Sequence, residues 1–174
     1  MQITHVRNDI ALTRVKLIPS QISANYLNFI AYSTGSSSIV LMGDTRTNPN
    51  SRPKIIPALQ NKSIISVVLG DYHNVALTSS GEVMTWGEYS AGALGLGDPT
   101  TLVPGTPGAF ATEEARQEAE EDRMGEPLAV EFPSKVRFDH GLKMPKDRFC
   151  FAVAAAGWHT GALVIDLEVR ASSS

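Results

Sequence analysis

Residues 64–97 read Ile64-Ile65-Ser66-Val67-Val68-Leu69-Gly70-Asp71-Tyr72-His73-Asn74-Val75-Ala76-Leu77-Thr78-Ser79-Ser80-Gly81-Glu82-Val83-Met84-Thr85-Trp86-Gly87-Glu88-Tyr89-Ser90-Ala91-Gly92-Ala93-Leu94-Gly95-Leu96-Gly97. The stretch predicts three short strands with their breaks written in: an apolar run ending at Gly70, an alternating segment His73–Thr78, and Val83–Trp86 after Ser79-Ser80-Gly81. Glycines fall after or between these runs, where a chain reverses, and not inside them. The period of two and the turn residues specify a β-meander, not a helix.

Weaker copies lie on both sides. Setting Asn28 against His73 places Ile30-Ala31-Tyr32 on Val75-Ala76-Leu77 and Ile39–Gly43 on Val83–Gly87, with one extra residue in the turn. Setting His159 against His73 places Ala162-Leu163 on Ala76-Leu77, and Phe149–Ala155 reads as the apolar strand before it. Lys54–Pro57 is a further short strand at a sheet edge, where proline is tolerated, and Glu131–Phe138 is another, entered through Pro133. Val15–Ile18 reads as a strand stopped by Pro19, and Gly43–Ser51 as a polar loop. This divides the chain into a poorly defined segment 1–21, repeats over 22–166 with an insertion at 98–130, and a tail 167–174.

The insertion opens with proline and glycine between Asp98 and Gly108, which break regular structure. Ala111–Arg123 follows, rich in helix formers and acids, with Thr112 placed to cap and no apolar stripe. It reads as a solvated helix or a disordered insert looping out between strands.

The ordered set Gly70, His73, Gly81, Trp86, Gly87, Gly92, Leu94, Gly95 and Gly97, with Trp158 and His159 in the third copy, resembles the fingerprint of the regulator of chromosome condensation repeat family. The resemblance implies an all-β fold, a partial β-propeller of about three blades in an open arc. Each blade would be a small antiparallel sheet that depends on its neighbours for burial. Small residues (Ala76, Ala154, Ala155, Ala162) would line close-packed strands, and Trp86 and Trp158 would fill the space between blades. Seven blades of about 50 residues need a chain of about 350. The sequence therefore reads as part of a longer protein, a C-terminal portion.

Residues 31–43 and 156–164, with the acidic insert between them, look most like the fungal F-box proteins that carry these repeats, the SCF-associated factor type. That resemblance implies a non-enzymatic propeller that receives substrates for a ubiquitin ligase through its rim loops. A Skp1-type adaptor would be bound only by an F-box, which is not visible in this sequence. The alternatives are guanine-nucleotide exchange with chromatin binding, as in the founding family member, and a generic interaction scaffold.

Composition fits the same picture. Hydrophobic residues make up 43% and charged residues 19% of the 174, as in soluble globular proteins. A net charge of −3 without a basic run argues against nucleic acid as a partner. Cys150 is the single cysteine, so the chain forms no internal disulfide, and its apolar setting reads as a buried structural thiol. No signal-peptide pattern or membrane-length apolar run appears, which fits the cytoplasm or nucleus.

No catalytic, cofactor or metal site emerges. Gly92-x-x-Gly95-x-Gly97 has the wrong spacing for a dinucleotide loop and runs into Asp98-Pro99 instead of a helix. His73 and His159 share a repeat position, so each is expected in its own blade, well apart, bonded to a neighbouring turn. His5 and His140 lack ligand neighbours, and Ser79 and Ser80 sit in a hairpin turn without a nucleophile elbow.

Overall fold

The computed structural model describes residues 19–44, 52–88, 92–122, 125–138 and 147–167. Val15–Ile18, most of the 43–51 loop and nearly all of the 167–174 tail lie outside them. Among the described residues ten strands form three antiparallel sheets, with one α-helix and a short 3-10 turn at Pro57–Leu59 outside them. The first sheet holds β1 (Gln21–Ala24), β2 (Asn28–Tyr32), β3 (Val40–Asp44) and β4 (Lys54–Ile55), in that order. The second holds β5 (Ile64–Leu69), β6 (His73–Thr78), β7 (Val83–Gly87) and β8 (Val130–Lys135). The third pairs β9 (Arg148–Ala156) with β10 (His159–Asp166). The fold is all-β, three blades of a propeller side by side.

The middle blade shows why the sequence alternates. Every residue of β6 is buried, so both faces of the strand are covered. Ala76 joins Met84 and Trp86 in a cluster with Ile30, Tyr32 and Val40 of the first blade. Val75 and Leu77 point the other way, to Cys150 and Val153 of the third. A period of two thus feeds two separate cores, one at each blade seam. Cys150 is buried as expected, and burial pushes its thiol pKa up.

The pairing corrects the alignment of the first copy. Tyr32 pairs with Val40 across seven intervening residues, whereas Leu77 pairs with Val83 across five, so the first turn is longer by two. Asn28 therefore faces Asp44, not Gly43, while His73 faces Gly87. Only glycine fits that corner of the middle blade. Gly87 has φ +126°, and a Cβ there would stand 2.4 Å from the Tyr72 carbonyl oxygen.

The insertion loops out between two strands of one blade: it leaves after β7 and returns as β8, the fourth strand of the same sheet. Its acidic part is α1 (Glu113–Asp122), with the Ala115 N–H donating to Thr112 Oγ1 at 3.2 Å. Trp86 is buried between blades as expected. Trp158 is not: it is 54% exposed on a turn, and Ala154 and Ala162 are exposed too. These residues belong to the turn end and outward face of the third sheet, which no described element covers.

Candidate interaction surface on the turn rim

Three equivalent turns join the first and second strands of each blade. They are 25–27 between β1 and β2, 70–72 between β5 and β6, and 157–158 between β9 and β10. Asn25 makes the first by accepting backbone N–H bonds from Leu27 and Asn28 at 2.8 and 2.6 Å on its Oδ1. Its Nδ2 then donates to the Gly70 carbonyl of the second turn. The Asp71 N–H donates in turn to the Gly157 carbonyl of the third, at 2.9 Å. Each turn is thereby tied to the next, and one rim of the arc is held as a unit.

His73 sits beneath these ties, 1% exposed. Its Nε2 is 2.7 Å from Thr160 Oγ1 in the third blade, while Nδ1 has no hydrogen-bond partner among the described residues. A Cβ on Gly70 would lie 2.2 Å from the ring's Cε1, so the ring needs a residue without a side chain beside it. Desolvation lowers the His73 pKa most; the His159 carbonyl and the Asp71 carboxylate push it back up, and the His159 charge lowers it. Because Thr160 follows His159 directly in β10, the two histidines, each in its own blade, lie near one another across the seam and not well apart. His73 is buried, whereas His159 is exposed.

Above the histidine the rim presents aromatic rings. Tyr26 is 91% exposed, Tyr72 41% and Trp158 54%, one from each turn. Tyr72 and Trp158 touch, with ring centroids 4.8 Å apart and planes at 52°. Rigid, half-exposed aromatics are the residue types that anchor protein interfaces. Sequence reasoning missed this row together with Asn25, Asp71 and Thr160. The aromatic residue before each aligned histidine, Tyr72 and Trp158, was the available signal.

The other fingerprint positions are scattered through the scaffold. Gly81 (φ +80°) closes the β6–β7 turn and lies against Phe149. Gly92, Gly95 and Gly97 fall in the turn after β7, with Gly95 N–H donating to the Gly92 carbonyl and Leu94 buried in the first core. Thr85 Oγ1 ties that turn to β7 by donating to the Leu94 carbonyl at 2.7 Å. None of these glycines opens a helix. Among the described residues no group of three or more His, Cys, Asp or Glu could hold a metal ion, and no helix is long and apolar enough to cross a membrane.

Comparison with known proteins agrees with this architecture. Residues 64–92 match the Regulator of chromosome condensation (RCC1) repeat. The chain is 36% identical over 107 residues to SCF-associated factor 1 of Saccharomyces cerevisiae, covering 60% of this chain and 14% of that protein. It is 50% identical over 50 residues to the human E3 ubiquitin-protein ligase HERC2, covering 29% of this chain and 1% of that protein. Among solved structures, Prp20p of Saccharomyces cerevisiae superposes with a TM-score of 0.57 at 15% identity, covering 92% of this chain and 34% of that one. Yeast RCC1 (Prp20) bound to Kap60 gives 0.57 at 14% identity, covering 91% and 32%. The chain carries an RCC1 repeat, adopts part of the RCC1-type propeller fold, and spans only a small share of the relatives it matches.

Proposed function

We propose that this stretch of propeller is a non-enzymatic protein-recognition surface, the substrate-receiving part of an SCF-type ubiquitin ligase F-box protein. The observation that carries the reading is the rim: three turns tied by hydrogen bonds and bearing Tyr26, Tyr72 and Trp158 at the surface. A preformed aromatic row lowers the ordering cost of binding, which is what a receptor for folded or extended protein segments needs. The 36% identity to SCF-associated factor 1 supports the ligase assignment. Attachment to a Skp1-type adaptor would be the work of an F-box, and the protein would act in the cytoplasm or nucleus.

The test places a photo-crosslinking amino acid at Tyr72 in the protein expressed in its own cells. Crosslinked proteins should be ubiquitinated, and Trp158→Ala should cut their recovery by about tenfold while leaving the protein's melting temperature unchanged. Crosslinks that are indifferent to Trp158→Ala, or to proteins that never carry ubiquitin, would overturn it.

A further inference from the structure

A second surface lies on β8, the edge strand of the middle blade. Between Thr85 and Gly87, β7 advances two residues while β8 advances four, from Ser134 back to Val130. The excess bulges outward and carries Phe132 into solvent, 70% exposed. Pro133 lies in the bulge, where its missing N–H breaks no ladder bond and blunts the edge against pairing with another strand.

Opposite the bulge stands the Pro/Gly-rich loop, which is folded rather than frayed. Asp98 Oδ1 accepts from the Thr100 N–H and hydroxyl at 3.0 and 2.8 Å, and Gly105 N–H donates to the Phe110 carbonyl at 2.8 Å. Arg116 of α1 donates to the Thr100 carbonyl at 3.1 Å, and Leu128 N–H donates to the Ala109 carbonyl. Loop, helix and returning segment form one unit. Between Gly105–Gly108 and residues 128–134 it leaves a cleft of about 200 Å³ lined mainly by apolar surface. Leu128 and Phe132 line this cleft 51% and 70% exposed.

Charge selects the occupant. Residues 98–135 hold nine of the chain's 18 acidic residues but only three of its 15 basic ones. Glu131 lines the cleft, and Glu114, Glu118, Glu120, Glu121 and Glu126 are exposed in the same unit. The volume is below the usual 300–1,000 Å³ or so of small-molecule pockets and suits one or two side chains of a peptide.

We infer that this cleft docks an extended, lysine- and arginine-rich segment of a protein partner through one apolar anchor residue seated between Leu128, Phe132 and the 105–108 loop. The acidic unit steers the segment in and fixes its direction. This deepens the receptor reading only in that the partner is a protein; it does not depend on ligase attachment.

The experiment titrates the full chain into a fluorescein-labelled decapeptide with a central Leu-Val pair between lysine-arginine flanks, read by anisotropy. Binding should saturate, weaken by about tenfold with serine in place of the Leu-Val pair, and weaken severalfold between 50 and 300 mM salt. Phe132→Asp should weaken it by about tenfold as well, although it adds a negative charge. Full binding by Phe132→Asp would reduce the effect to diffuse electrostatics and overturn the inference. So would a dimer in sedimentation that Phe132→Asp dissolves, since a second copy would then own the cleft. Tyr72 and Trp158 variants should leave peptide binding unchanged, which keeps this result separate from that of the rim.

Discussion

His73 Nε2 lies 2.7 Å from Thr160 Oγ1, a bond between residues 87 apart in sequence that crosses the seam of the second and third blades. Each blade buries its face only against a neighbour, and this bond sets the register of that contact. Thr160→Val keeps the shape and removes the hydroxyl, leaving a buried ring nitrogen unsatisfied. Stability should drop by about 1–3 kcal/mol in urea unfolding. Combining it with His73→Leu should cost less than the two single losses together. Additive losses would mean that the contact does not couple the blades.

The same histidine gives stability a pH dependence of known sign. Burial of the ring holds its folded pKa below the ordinary histidine value of about 6.5, so at intermediate pH the unfolded chain binds the proton more readily. The contribution is complete above the unfolded pKa and is lost as pH falls from there toward the folded value. The His159 carbonyl and the Asp71 carboxylate oppose this shift, and the His159 charge adds to it. The unfolding free energy should therefore fall on acidification below about pH 6.5, with a slope of no more than about 1.4 kcal/mol per pH unit for one proton. His73→Gln should flatten the profile in that window. A profile unchanged by the substitution would place the titration elsewhere.

Two glycines test how closely the blades are built. A Cβ at Gly87 would meet the Tyr72 carbonyl oxygen at 2.4 Å and the His73 Cα at 2.7 Å, both backbone atoms, at φ +126°. At Gly92 the φ is +91° but nothing lies within 4 Å. Gly92→Ala should cost about 1–2 kcal/mol for the backbone alone. Gly87→Ala should cost that plus about 1–3 kcal/mol of overpacking, and denaturant midpoints should rank the two in that order.

The strands of the middle blade were legible because their signals are local: Gly70, Gly81 and Gly87 stand at the breaks, and Val75 and Leu77 on one strand, Met84 and Trp86 on the next, keep a period of two. What escaped was set by partners far away in sequence. Nothing around Tyr72 announces that its ring meets Trp158, since that contact needs two blades side by side. Trp158 read as filler for the same reason: its type says bulk, and only the turn position says rim. The 98–110 loop looked broken because proline and glycine prevent regular hydrogen bonding, yet its turns close on Asp98, Phe110 and Arg116. The extra turn residues of the first copy were undercounted because Ser36, Ser37 and Ser38 carry no marker of register.

The chain has two tryptophans in opposite settings, Trp86 5% exposed and Trp158 54% exposed. Acrylamide should therefore quench a fraction of the fluorescence readily, and Trp158→Phe should remove that fraction. Trp86→Ala should cost about 3–5 kcal/mol, since it empties the seam shared with Ile30 and Val40. Equal quenching of the two single-tryptophan variants would contradict the arrangement of the seam.

Arg116 joins α1 to the loop before it, donating to the Thr100 carbonyl at 3.1 Å and pairing with Glu113. The helix carries acids in its first turn and no basic residue in its last, and it lacks a broad apolar face, so it draws little from packing. Among the described residues the Arg116 guanidinium ties the helix to the loop, and Ala119 lies near Gly125. Arg116→Ala should leave the global unfolding midpoint within about 0.5 kcal/mol. Hydrogen exchange across residues 98–122 should nevertheless accelerate, because the local opening that exposes those amides no longer breaks the Thr100 bond. A protease specific for glutamate should then cut within the helix first, well before it cuts the strands. Uniform loss of protection across β5–β7 instead would show that the insertion unfolds only with the blade.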